Sequence, residues 1–219
     1  MNIKWLGHAG FKIDNLIIDP FVERIEHWGL EAPYTLKQED LENIDVVVIT
    51  HGHADHFQGA KTIAEKTGAT VIGTGENLHA SELFKFKHED LNIGGSIEIA
   101  GWKITFVQAH HSGNPVGVIL EKDGLVLYHT GDTGLFSDMK LYKELYAPNV
   151  LLLPIGGRYT MDIKQAIKAV EFVEPKFCIP MHYNTFAKIN ADVNDFKTQV
   201  ETKTKTKVKV LKIGEQIVL

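Results

Sequence analysis

The run His51-Gly52-His53-Ala54-Asp55-His56 places four side chains of metal-ligand type within six residues, directly after the β-branched stretch 44–50 (IDVVVIT). In extended backbone, residues two apart project to the same side, so His51 and His53 can converge on one ion. As the chain turns toward the next helical segment, Asp55 and His56 can point at a second ion nearby. A solvated polar loop is the plain alternative, and it explains poorly why four such groups stand at the mouth of a buried strand. A catalytic metal draws further ligands from elsewhere in a fold, and three more segments offer them: Ala109-His110-His111-Ser112-Gly113, His129-Thr130-Gly131-Asp132-Thr133-Gly134 and Met181-His182-Tyr183-Asn184. Each stands at the C-terminal end of an apparent strand, where loops on a rigid scaffold carry site residues. The chain has eleven histidines against one cysteine, so its metals must be held by nitrogen and oxygen. That donor set suits an open hydrolytic site better than a thiolate-closed structural one.

The elements that position these residues follow from pattern. Residues 3–13 and 16–18 flank Asp14-Asn15 as a hairpin, and a loop rich in Glu, Pro and Trp occupies about 21–36. Residues 44–50 form a strand buried on both faces; 58–67 has helical character, closed by Gly68 as a C-cap. Further strands are expected at 70–73, 96–99, 102–108, 116–120, 125–129, 150–155 and 176–179, with Asp123-Gly124 as a hairpin turn. An amphipathic helix at 163–173 and another near 191–200 precede closing strands at 207–213 and 216–219. Hairpins first and helices between later strands suggest two layers of mixed sheet covered by helices. No repeat or linker interrupts the chain, so 1–219 reads as a single domain. In residues 203–210 alternate lysines share one face; an edge strand guarded against aggregation is preferred to a basic docking strip.

In order along the chain, five motifs resemble those of the metallo-β-lactamase-fold superfamily: Asp19 closing a strand in Leu16-Ile17-Ile18-Asp19-Pro20, the His51-x-His53-x-Asp55-His56 run, a third-motif His, Asp132 after Gly131, and His182. Within it, Trp5-Leu6-Gly7-His8, Thr130-Gly131-Asp132-Thr133 and Met181-His182-Tyr183-Asn184 look most like a small group of metal-dependent hydrolases related to ascorbate-6-phosphate lactonases and the N-acylphosphatidylethanolamine phospholipase D group. The resemblance covers nearly the whole chain. It implies an α/β fold, a four-layer αββα sandwich of two mixed sheets flanked by helices, with the metals at one edge. It further implies that His51, His53 and His111 hold one metal, Asp55, His56 and His182 the other, and that Asp132 bridges them. Adjacent strand residues point to opposite sides, and His111 fits the family's His-Ser-Gly form, which leaves His110 as a supporting or packing residue. The implied cofactors are two divalent ions, zinc favoured, with manganese, iron or nickel as alternatives. Two such ions about 3.5 to 4 Å apart share a water and present hydroxide to a scissile ester, lactone or phosphodiester bond.

Two divalent ions set against Asp55, Asp132 and a hydroxide leave a net positive charge, which favours a small anionic substrate. Asp55 is also a candidate to orient the nucleophile. His8 reads either as a substrate contact or proton donor, or as a half-buried hairpin residue. Asp19 is expected to fix the tautomer of a ligand histidine, His129 to support Asp132, and Arg158, after Gly156-Gly157, to line the pocket. His27, His79 and His88 stand in polar contexts and read as surface residues.

Composition narrows the remaining classes. With 44% apolar residues and a net charge of −5, the chain is folded, and its acidic balance disfavours a long nucleic acid as partner. The longest apolar run, 150–157, is far too short to span a bilayer, and the N-terminus lacks signal-peptide character, so a cytoplasmic setting is expected. Cys178, alone, agrees with a reducing compartment. The rival readings are a nuclease of the same fold, a di-iron redox protein, which would favour a carboxylate at His53, and a non-catalytic metal-bound sensor. Homo-oligomerisation is left open.

Overall fold

The computed structural model describes residues 1–219. The chain divides into two compact units, one of residues 1–92, 112–114 and 211–219, the other of residues 93–111 and 115–210.

In the first unit the strands are β1 (Asn2–Gly7), β2 (Gly10–Ile13), β3 (Leu16–Ile18), β4 (Val46–Val48), β5 (Thr70–Gly73) and β6 (His88–Asp90), joined by the chain's closing strand Gln216–Val218. They form one seven-stranded sheet in the order closing strand, β1, β2, β3, β4, β5, β6. Pairing is antiparallel as far as β3 and parallel from β3 to β6. The antiparallel part needs only tight turns, whereas each parallel step needs a crossover. Helices α1 (Gln38–Leu41), α2 (Ala54–Phe57), α3 (Ala60–Thr67) and α4 (Gly75–Ala80) supply those crossovers. The buried face of α3, Ile63 and Ala64, packs with Ile17, Val47 and Val71 of the sheet.

The expected single strand 3–13 is two strands, because Gly7 and His8 both take positive φ and reverse the chain at His8-Ala9. The expected helix over 58–67 starts at Ala60, and a separate turn, α2, carries Asp55 and His56. Gly68 closes α3 at φ +70, in the left-handed region that glycine enters without penalty. Nothing in the sequence pattern anticipates β6, whose three residues are all exposed and carry no alternation.

The second unit repeats this plan. Strands β7 (Ser96–Ile99), β8 (Trp102–Gln108), β9 (Val116–Lys122) and β10 (Leu125–His129) are antiparallel, and β11 (Val150–Pro154), β12 (Phe177–Met181) and β13 (Lys207–Val208) continue from β10 in parallel. Helices α5 (Met139–Tyr146), α6 (Ile163–Val173) and α7 (Val193–Lys203) make the three crossovers. The apolar stripe of α6, Ala166, Ile167, Ala169, Val170 and Val173, is buried as its periodicity requires. The lysine-rich segment departs from a uniform strand: α7 extends to Lys203, and only Lys207–Val208 forms the sheet edge, with Lys207 exposed and Val208 buried. Two mixed sheets with flanking helices make the chain an α/β protein, as the element pattern suggested.

Candidate metal centre

In the first unit the site grows from the parallel pairing of β3 and β4, which sets Ile18 beside Val48 and so brings the next residues, Asp19 and Thr50, together. Asp19 takes a left-handed conformation, φ +46, with its backbone N–H donating to Val48 O at 3.0 Å. Its carboxylate turns inward and accepts three hydrogen bonds: from Thr50 N at 2.8 Å, Thr50 Oγ1 at 2.6 Å and His56 Nδ1 at 2.7 Å. Thr50 Oγ1 also lies 3.1 Å from His51 Nδ1. Asp19, Thr50, His51 and His56 are all fully buried. Ligand-type atoms of Asp19, His51 and His56 lie within 4.8 Å of one another, yet the Asp19 oxygens are already engaged, so Asp19 positions imidazoles rather than offering an oxygen to an ion.

His51 Nε2 and His53 Nδ1 face each other at 3.0 Å. Two imidazole nitrogens converge in this way when they share an ion. The outer nitrogen of His53, Nε2, lies 3.3 Å from Ser112 Oγ, and Gly52 N donates to Gly113 O at 3.0 Å, pinning the loop. His53 stands immediately before α2, so Asp55 and His56 project from its first turns, with His56 N donating back to His53 O. His8 is wholly buried at φ +54, its carbonyl held by Trp5 Nε1 at 3.1 Å and its ring edge-on to Phe21. Its Nε2 meets Asp55 Oδ2 at 3.0 Å. Of the two readings of His8, neither a solvent-facing substrate contact nor a half-buried turn residue describes a fully enclosed partner of Asp55.

In the second unit three strand ends contribute. After β8 the two adjacent histidines diverge: the exposed His110 ring stacks on Phe136 at 4.6 Å, while His111 Nε2 approaches Asp132 Oδ2 at 3.6 Å. The His110 backbone is tied to the Asp132 loop, its N–H donating to Thr133 Oγ1 at 2.9 Å and its carbonyl accepting from Gly134 N at 3.0 Å. After β10, the buried His129 accepts from Gly131 N through Nδ1 at 3.1 Å, which fixes the turn presenting Asp132. After β12, His182 enters at φ +52 and sets its Nε2 3.0 Å from Asp132 Oδ2. Gly156 makes this placement feasible, since a Cβ there would fall 2.3 Å from His182 O. Asn184 closes the segment by pairing with the Ala191 backbone at 2.9 and 3.2 Å. Burial pushes the neighbouring Tyr183 phenol up to about 12, so it stays protonated. Arg158 is exposed and lies over its neighbour Tyr159, 5.5 Å from the ring centroid, with no ion pair to Asp132.

The model of the beta-lactamase superfamily domain matches residues 14–183. A UPF0173 metal-dependent hydrolase of Methanocaldococcus jannaschii is 44% identical over 227 residues, covering 99% of this chain and 100% of the relative. The chain belongs to the beta-lactamase superfamily. Another UPF0173 metal-dependent hydrolase, from Carboxydothermus hydrogenoformans, is 38% identical over 234 residues and covers 100% of both chains. Among solved structures, a metallo hydrolase of the archaeon Ignicoccus hospitalis is 39% identical, with a TM-score of 0.87 over 99% of this chain and 97% of that one. The family resemblance carried by the five motifs is thus established, and the chain is a metal-dependent hydrolase of the superfamily's fold.

The residues present fit divalent metal ions by their donor chemistry. The first unit offers converging imidazole nitrogens and an α2 carboxylate, the second a carboxylate flanked by two imidazoles, and no sulfur is involved. Sequence reasoning missed Thr50, which joins Asp19 to His51, Ser112, which backs His53, and the clearance role of Gly156. Thr50 had one legible signal, a hydroxyl residue directly between a buried strand and the first histidine. His27, His79 and His88 are exposed; His79 stacks on Phe84 and His88 Nδ1 donates to Phe86 O at 2.9 Å.

Proposed function

We propose that the protein hydrolyses an ester, lactone or phosphodiester bond in a small anionic substrate, using two divalent ions, zinc favoured, within one catalytic domain spanning the chain. The observation that carries this reading is the facing of His51 Nε2 and His53 Nδ1 beside a buried carboxylate that orders two further imidazole contacts. In the reading, His51, His53 and His111 hold one ion, Asp55, His56 and His182 the other, and Asp132 is shared.

When bound, such ions lower the pKa of a water toward about 7 and polarise the scissile bond. The chain's own residues supply orientation. Asp19 takes the Nδ1 proton of His56, leaving Nε2 as the coordinating nitrogen. His8 holds one oxygen of Asp55, so the other is presented in a fixed direction. The Gly131 turn on His129 does the same for Asp132. Asp55 and Asp132 cancel only part of the charge of two divalent ions, which leaves the centre attractive to an anion or a developing oxyanion. Metal analysis of protein purified without chelators, followed by a panel of phosphodiesters, phosphorylated lactones and thioesters, tests the reading. About two equivalents of metal with turnover on an anionic substrate are expected; less than one equivalent would sink it.

A further inference from the structure

We propose that Thr50 is a positioning residue that sets the ring tautomer of His51, so that one buried carboxylate, Asp19, fixes the coordinating nitrogen of two histidines at once. The inference rests on the metal-centre reading above and adds to it a residue and a physical device.

Proton counting carries it. An ionised carboxylate only accepts, and Asp19 accepts from Thr50 N, Thr50 Oγ1 and His56 Nδ1 at 2.6 to 2.8 Å. A hydroxyl has one proton. Given to Asp19 at 2.6 Å, it leaves Thr50 Oγ1 with lone pairs alone toward His51 Nδ1 at 3.1 Å. The proton in that second contact therefore sits on His51 Nδ1, and in a neutral ring Nε2 then holds the lone pair. That is the nitrogen facing His53 Nδ1. The reverse arrangement, with Thr50 donating to His51, would set hydroxyl lone pairs against a carboxylate oxygen at 2.6 Å. All four groups are fully buried, so solvent offers no substitute for the hydrogen bond that would be lost.

The relay is selective. His56 reaches Asp19 directly, His53 is backed by Ser112, and Asp55 by His8, so removing the Thr50 hydroxyl acts on His51 alone. The Thr50 backbone N–H keeps its bond to Asp19 Oδ1 in any side-chain variant.

The test is nitrogen-detected NMR of the histidine rings in the full-length protein, as purified and after chelation, with zinc affinity by competition as a second readout. In the wild type, His51 and His56 are expected to carry their protons on Nδ1. In Thr50→Val the His51 ring loses that fixed state while His56 keeps it, and zinc affinity falls about 10- to 100-fold. Thr50→Ser restores both. A wild-type His51 protonated on Nε2, or a Thr50→Val protein with unchanged His51 signals and unchanged affinity, overturns the inference and leaves the metal-centre reading standing. Both Nδ1 tautomers present in a protein that binds no zinc would support the Thr50 role and sink that reading instead. If Thr50→Val does not fold, the wild-type ring signals and Thr50→Ser decide.

Discussion

The two units share one topology, three antiparallel pairings followed by three parallel ones, yet they assemble their ligands differently. In the first unit four ligand-type side chains come from six consecutive residues after β4, and their rings are ordered by side chains: Asp19, Thr50, Ser112 and His8. In the second unit His111, Asp132 and His182 come from three separate strand ends, and backbone geometry orders them: the Gly131 turn, the His110 backbone bonds and the clearance at Gly156. A side-chain network specifies tautomers and tolerates conservative hydroxyl or carboxamide exchange at defined cost. A backbone scaffold specifies position and fails where a Cβ intrudes. Asp19 and Asp132 mark the contrast most clearly. Each follows the strand that begins the parallel half of its sheet, but Asp19 faces a hydroxyl and an imidazole as their acceptor, while Asp132 lies between two imidazoles that themselves remain candidates for coordination.

The contrast breaks most visibly at the ligands. His53→Ala is expected to lower hydrolysis by more than about 100-fold, beyond the usual cost of losing an outer partner, and to reduce bound metal. His27→Ala, exposed and remote in type, should leave both unchanged; equal losses in turnover and metal content would show the centre to be wrongly drawn. The next effect belongs to the backbone scaffold. Gly156→Ala must move His182 O or Ile189, and overpacking of that kind costs about 1 to 3 kcal/mol. A lower Tm together with reduced metal content is expected, and a variant with wild-type values of both would remove Gly156 from the scaffold. The smallest effect separates the adjacent histidines. His110→Ala loses a ring stack on Phe136 worth about 0.5 to 1.5 kcal/mol and should keep its full metal content, whereas His111→Ala should not. Metal analysis of the two variants reverses that assignment if His110→Ala is the one depleted.

Much of the fold was legible because its strands are short apolar runs bounded by clear turn residues. Residues 163–173 as a helix, Asp123-Gly124 as a turn and 125–129 as a strand stand in the structure at the expected bounds. What escaped had weak local signals: α5 shows no strong start or stop, β6 is polar throughout, and the reversal at Gly7-His8 interrupts an alternation that reads as continuous. In the site, the His51–His56 run was plain from spacing alone. His8 could be named but not assigned, since its burial against Asp55 depends on the β1–β2 turn meeting α2, two elements 47 residues apart.

The sequence by itself determined the chemistry available: nitrogen and oxygen donors, too many on one short segment to be packing, with further ones at strand ends. It also determined the mixed α/β plan, because hairpin turns and amphipathic crossovers are local properties. Only the tertiary structure decided which atom of each residue does what. Parallel pairing of β3 with β4 brings Asp19 to Thr50, and that contact, between residues 31 apart, selects the nitrogen each imidazole presents. Tautomers and ring directions are set by neighbours in space at hydrogen-bond distance, and no residue spacing along a chain encodes them.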